Sequence, residues 1–169
     1  MIYFIWLTRI LHIGAGVFWV GGTLMTTYLI GPTVGATGEA GQKFIGHLMG
    51  AMKFSNRMSI AAGTTVLAGA ILFWIDSDGF TSPWLRSGAG KGFSLGAGFA
   101  IIGFVFGILV GRTMKSMGVL GTQIQGRPTD EQMTQLATLR RQQVIYSNTA
   151  SIALILAVIF MALARYFVL

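Results

Sequence analysis

Four long apolar stretches divide this chain, at about residues 2–30, 57–75, 92–110 and 145–168. Each is close to or above the roughly 20 residues that a helix needs to cross a bilayer. Lipid offers no partner to backbone N–H and C=O groups. A crossing segment must therefore satisfy them internally, and a helix does so. The pattern predicts an all-α, polytopic membrane protein: a single four-span helix bundle over residues 1–169. Composition points the same way. Only 10% of the residues are charged and 53% are hydrophobic, against roughly 25% charged in an ordinary soluble domain. The first stretch, MIYFIWLTRILHIGAG and onward, lacks a basic n-region and outlasts the apolar core of a cleavable signal. It reads as a retained span.

The chain has no cysteine, which excludes disulfides, thiolate metal sites and thiol nucleophiles. Its net charge of +7 is explained by basic loops meeting anionic lipid headgroups. No basic patch with interleaved aromatics is present, so nucleic acid is not an expected partner. The expected partners are the lipid bilayer and other membrane subunits or further copies of the chain.

Residues 76–91, DSDGFTSPWLRSGAGK, form a short polar connection with Trp84 placed as an interfacial anchor. Residues 31–56 and 111–144 are longer and look partly helical. In Pro128-Thr129-Asp130-Glu131-Gln132, Thr129 is an expected N-cap, with acids in the first turn and Gln132 at the capping-box position. The helix begun there is expected to run into span 4, and residues 40–56 to lead into span 2 in the same way. Both would extend beyond the bilayer on one face. The long connections carry Lys43, Lys53, Arg57, Arg112, Lys115, Arg127, Arg140 and Arg141, against Arg9, Arg86, Lys91 and Arg165 elsewhere. The positive-inside rule then makes the long connections cytoplasmic and puts both termini on the outer side.

Span 3 repeats glycine at Gly96, Gly103, Gly107 and Gly111. Small residues at this spacing allow close helix approach. They serve packing within the bundle, a flat cofactor or a second copy.

The face most suited to chemistry lies on span 1. At about 100° per residue, Arg9, His12, Gly16, Trp19, Thr23 and Thr27 share one side of the helix. An intramembrane arginine and histidine need partners or a function. Arg9 either pairs with Asp76 or snorkels to the interface, with His12 as a hydrogen-bonded core residue. Alternatively His12 is an axial haem ligand, with Gly16 making room and Arg9 neutralising a propionate. A third possibility is copper or another metal. His47 is the only other histidine and is read either as an interfacial residue or, with Met49 and Met52, as part of a soft metal site. No acid falls in mid-membrane, no catalytic triad is present, and Asn148 and Ser151 read as hydrogen-bonding glue between helices.

Leu11-His12 followed by Trp19-Val20-Gly21-Gly22, Pro32, Lys53-Phe54-Ser55-Asn56-Arg57 and Met161-Ala162-Leu163-Ala164-Arg165-Tyr166 together resemble the CopD-type (copper resistance protein D) group of bacterial membrane proteins. The histidine-tryptophan-glycine pattern is also similar to HemJ, a four-span haem-containing protoporphyrinogen oxidase family. The basic and aromatic signature that follows the HemJ tryptophan is missing here, so that activity is not carried over. The resemblance implies a four-helix bundle in the bacterial inner membrane whose first-span histidine binds haem b, and it links the group to copper uptake. Three functions are expected on these grounds: a haem b protein of membrane electron transfer, alone or as a subunit of a larger bioenergetic complex; a non-catalytic accessory subunit; or a copper transporter.

Overall fold

A computed structural model of the chain describes residues 1–124 and 126–167. The end of the fourth predicted span, at Val168, lies outside the described residues. The order is α1 (Ile2–Met25), a π-helical turn (Thr26–Ile30), α2 (Gly31–Ala36), α3 (Glu39–Met49), α4 (Phe54–Asp76), α5 (Gly88–Gln123) and α6 (Asp130–Leu163). Short 3₁₀ turns cover Pro83–Arg86 and Ala164–Tyr166, and no strand occurs among the described residues. Four helical rods are long and apolar enough to cross a membrane: Ile2–Ala36, Phe54–Asp76, Gly88–Gln123 and Asp130–Tyr166. The chain is an all-α, multi-pass membrane protein.

Each rod turns a heptad-spaced row of side chains inward. On α1 the row is Ile5, Thr8, His12, Ala15, Trp19, Gly22 and Thr26. On α4 it is Phe54, Met58, Ala61, Thr65, Ala68, Leu72 and Ile75. The α5 row steps by four and three from Gly92 through Gly96, Phe99, Gly103, Phe106 and Val110 to Leu120. The α6 row does the same from Gln132 through Tyr146, Ala150, Ala153 and Ala157 to Ala164. Every one of these positions is buried or half-buried. A repeat of seven is the sequence of helices that wrap around one another with side chains interlocked.

The helices pack chiefly as two antiparallel pairs, α1 with α4 and α5 with α6, and the pairs meet more loosely. A buried cluster joins them around Trp19. There Trp19 is 4% exposed and packs with Ala61, Ala62 and Leu154. Its ring also meets Phe104 edge-on, with centroids 6.1 Å apart, the arrangement that aromatic quadrupoles favour. Ser151, fully buried, adds a hydroxyl bond to Thr27 at 3.1 Å.

Local chemistry explains the irregular stretches. Pro32 has no N–H and its ring crowds the carbonyl four residues back. The helix widens into the π turn just before it, with the Gly31 N–H reaching the Thr26 carbonyl. A Cβ at Gly31 would lie 3.1 Å from that carbonyl oxygen, so glycine suits the turn. Threonines 23, 26, 33 and 37 return their hydroxyls to carbonyls of the preceding turn, which leaves no bare donor facing lipid.

The helical extension of span 4 is present, opened by the expected capping box: Thr129 accepts from the Gln132 N–H, and Gln132 accepts from the Thr129 N–H. The lead-in to span 2 differs from expectation. Residues 39–49 are helical, but a turn at 50–53 separates them from α4, and Lys53 adopts a left-handed conformation, φ 49°. Gly50 ends α3, and a turn takes the place of a continuous helix. Span 3 is longer than its apolar core suggests and continues to Gln123. At 1.5 Å per residue, α5 is about 54 Å long and exceeds a hydrocarbon core of about 30 Å. The α5–α6 hairpin therefore projects beyond the bilayer.

At the opposite end Trp84 is half-buried among aromatics and not a free anchor. It meets Phe73 edge-on at 5.6 Å and stacks on Phe93 at 6.0 Å. Gly88 and Gly92 let the start of α5 lie against Phe167 and Ala164, where a Cβ at Gly92 would come 2.7 Å from the Ala164 Cα.

Candidate functional site

The site is built by α1 and α4. His12 lies ten residues into α1, about 15 Å along the axis from its start. Its Nδ1 is 2.8 Å from the main-chain carbonyl oxygen of Thr65. A carbonyl can only accept, so Nδ1 carries the proton and the ring is held in the tautomer whose Nε2 has a free lone pair. The Thr65 carbonyl has a second lone pair for this bond while still serving its own helix. The Thr65 hydroxyl does not compete, because it donates to the Ala61 carbonyl at 2.8 Å.

Glycine makes that approach possible. A Cβ at Gly69 would lie 2.8 Å from the His12 Cε1 and 3.0 Å from Nδ1. The imidazole edge thus occupies the space that any other residue at 69 would fill. Gly16, one turn along α1, faces Thr65, whose Cγ2 stands 3.4 Å from where a Cβ would be. Trp19, a turn further, closes the core. The His12 Nε2 makes no hydrogen bond, yet it is not sealed in. Among the described residues the one enclosed side-chain polar atom without a partner is the Gln143 Oε1.

Of the predicted face, His12, Gly16, Trp19, Thr23 and Thr27 do turn into the bundle, and Arg9 does not. It is exposed, and Thr8 is buried in its place. At 100° per residue Arg9 already stands about 80° round from Trp19 and Thr8 only about 20°, so arginine sits at the edge of the polar face and threonine nearer its middle. Arg9 does not pair with Asp76. Among the described residues the ion pair within 4 Å is Lys43–Glu39, at 2.8 Å.

His47 is not brought to His12. It is exposed in the last turn of α3, which packs on α2 and the start of α4. The Thr65 carbonyl that holds His12 lies eleven residues into α4, roughly 16 Å from its start. Met49 is engaged elsewhere, with its sulfur 3.4 Å from the Ser55 hydroxyl. No three His, Asp or Glu side chains gather into a metal-binding group among the described residues.

Thr65 and Gly69 are the partners that sequence reasoning missed. Their signal is the row of small residues Ala61, Thr65, Ala68 and Gly69 on span 2, which marks where another helix comes close. The four glycines Gly96, Gly103, Gly107 and Gly111 of span 3 are divided. Gly96 and Gly103 pack against Met161 and Leu154, whereas Gly107 and Gly111 meet nothing within 4 Å. The first two lie on the heptad seam, and the i+4 steps to 107 and 111 leave it. Clefts lie elsewhere: an open hollow of about 490 Å³ is lined by Asp130, Glu131, Thr134 and Gln135 at the hairpin tip.

The residues present fit haem in part. His12 offers an oriented, accessible nitrogen, and Arg9 stands three residues away as an exposed cation. Gly16 and Trp19 face other helices and do not line a space beside it. A haem iron brings four ring nitrogens of its own, so one protein nitrogen can hold it, whereas a bare structural zinc ion takes four protein ligands. The chain matches no family model, no curated protein and no solved structure.

Proposed function

We propose that the chain is a haem b-binding membrane protein of electron transfer, with His12 as the axial ligand and Arg9 as the cation facing a propionate. The observation that carries this reading is the bond from His12 Nδ1 to the Thr65 carbonyl. Histidines that ligate metals nearly always donate their other ring nitrogen to a carbonyl or carboxylate, which fixes the tautomer and raises the basicity of the ligating nitrogen. The chemistry supplied at such a centre is reversible one-electron transfer at iron, tuned by the axial ligand and by burial. Gly16 and Gly69 let α4 come close enough to hold the imidazole, and Trp19 locks the depth at which it is held. The resemblance to CopD-type proteins supports the same assignment. The bacterial inner membrane, with the basic end of the bundle in the cytoplasm, follows from that resemblance and the positive-inside rule.

The test is an absorbance spectrum of purified protein, oxidised and reduced. A Soret band that His12→Ala abolishes supports the proposal. No Soret band in protein expressed with ample haem, or a band that survives His12→Ala, defeats it.

A second reading is an accessory subunit that packs against other membrane chains and uses His12 only to join α1 to α4. Gly107 and Gly111 favour it, because they leave part of α5 without a neighbour. Co-purification of larger membrane chains without any bound cofactor would select this reading. Copper transport through His47, Met49 and Met52 is the third, and metal uptake that survives their joint replacement by Ala would remove it.

A further inference from the structure

The basic residues of this chain are arranged by depth. The Trp19 contact with Phe104, Ala61, Ala62 and Leu154 marks one level common to all four spans. Arg57 lies about 6 Å from that level toward the end bearing the long connections, counting 1.5 Å per residue. Lys53 and Arg112 lie about 12 Å away in the same direction, Lys115 about 16 Å, and Arg140 and Arg141 about 20 Å. All six are exposed, and none has a carboxylate within 4 Å among the described residues.

The acids are elsewhere. Asp76 lies about 21 Å away in the opposite direction, with Asp78 beyond it. Asp130 and Glu131 are about 35 Å away, at the hairpin tip. Glu39 is already paired with Lys43 at 2.8 Å. One slab of the bundle therefore holds six cations and no counter-charge from the chain itself. The midpoints of the four apolar stretches, near residues 16, 66, 101 and 156, fall within about 7 Å of the Trp19 level, and half of a bilayer's hydrocarbon is about 15 Å thick, so the slab spans the boundary where headgroup phosphates lie. Lys53 and Arg57 can reach it by extending their side chains, as long basic residues do. The cations come from three helices, α4, α5 and α6, rather than from one, which suits a ring of lipids better than one docked protein.

We infer that Lys53, Arg57, Arg112, Lys115, Arg140 and Arg141 form a belt that binds the headgroups of anionic phospholipids. The partner is the membrane's own anionic lipid, recognised by phosphate charge.

The test uses the full chain in nanodiscs of phosphatidylcholine with a minor share of phosphatidylglycerol, and native mass spectrometry counts the lipids retained. Enrichment of phosphatidylglycerol by about threefold or more is expected, since each basic residue at a surface favours anionic lipid appreciably. It should fall toward the bulk ratio as salt is raised, because exposed charges are screened within about 10 Å at 0.1 M. The variant Arg112→Gln/Lys115→Gln/Arg140→Gln/Arg141→Gln should lose most of the enrichment. Arg86→Gln/Lys91→Gln, at the opposite end, should keep it. Retention of the two lipids in their bulk ratio by the unaltered chain overturns the proposal, and so does enrichment indifferent to salt. The salt series needs no variant and stands even if the quadruple variant fails to fold.

Discussion

The two helix pairs solve the same packing problem with different residues. In α5–α6, Gly92, Gly96 and Gly103 meet Ala164, Met161 and Leu154, and stacked or tilted aromatic pairs, Phe99–Phe160 and Phe106–Tyr146, fill the gaps between the glycine contacts. Among the described residues no side-chain hydrogen bond crosses that seam. In α1–α4 the glycines are set opposite functional groups: Gly16 faces Thr65, Gly69 faces an imidazole, and Gly22 faces a thioether, Met58. One pair is a plain strut, and the other is the same strut with a hydrogen-bonded histidine built into it. Lipid is as apolar as leucine, so close van der Waals packing and interhelical hydrogen bonds drive association in both.

The largest expected effect breaks the strut. Gly92→Leu puts a side chain where the Ala164 backbone already stands, 2.7 Å from its Cα. Backbone cannot step aside as a side-chain tip can. A loss of about 3 kcal/mol is expected, at the upper end for overpacking. Gly111→Leu, whose site is open, should change stability by no more than about 0.5 kcal/mol. Unfolding midpoints in detergent micelles measure both. If the two substitutions cost the same, the division of α5 into seam and open glycines is wrong.

The next effect sharpens the difference between the pairs. Gly69→Ala adds a methyl 2.8 Å from the His12 Cε1. The ring must tilt, and its bond to the Thr65 carbonyl must lengthen. If His12 ligates haem, retention should fall by roughly tenfold or more, the usual cost of disturbing a ligand's outer hydrogen bond. Helix content should stay unchanged. Haem titration followed at the Soret band, with circular dichroism alongside, checks the two expectations together. Full haem retention by Gly69→Ala would mean that the imidazole is not held as described.

Four membrane spans, an all-α bundle and the Thr129–Gln132 capping box were legible because each rests on local chemistry: run length, hydropathy and a four-residue signature. The inward turn of His12 and Trp19 was legible from helical periodicity. Arg9 was misplaced because it lies about 80° round from Trp19 at 100° per residue, at the edge of the face, where its polarity suggests an inward turn that the angle does not support. The partner of His12 was not legible at all. It is a main-chain carbonyl, and every residue has one. Only the register of α4 against α1 decides that Thr65 is the one presented. The break at residues 50–53 was hidden for a related reason: Gly50-Ala51-Met52-Lys53 contains no proline, and helical propensity alone does not forbid continuation there.

A smaller effect concerns the projecting part of the strut. Thr129→Ala removes the acceptor of the Gln132 N–H and half of the capping box. About 1 kcal/mol is expected, the usual cost of losing such a cap. The loss should be local, seen as faster hydrogen exchange in the first turn of α6, while exchange around Ala150 and Leu154 holds. Equal acceleration in both regions would show that the hairpin melts as one unit from its tip.

The smallest effect tests what joins the two pairs. Ser151 donates to the Thr27 hydroxyl at 3.1 Å from a fully buried position, beside the π turn that Pro32 imposes. Interhelical hydrogen bonds within membranes average about 0.6 kcal/mol when measured by double-mutant cycles, because the separated helices find other partners for the same groups. Ser151→Ala should therefore cost little. Combining it with Thr27→Ala should show a coupling of about that size. The van der Waals contact of Trp19 with Ala61, Ala62 and Leu154 covers far more surface and would then be the main connection between the pairs. A coupling well above about 1.7 kcal/mol, the largest seen for such bonds, would reverse that ranking and make this hydroxyl pair, about four turns from His12, the joint on which the two halves hinge.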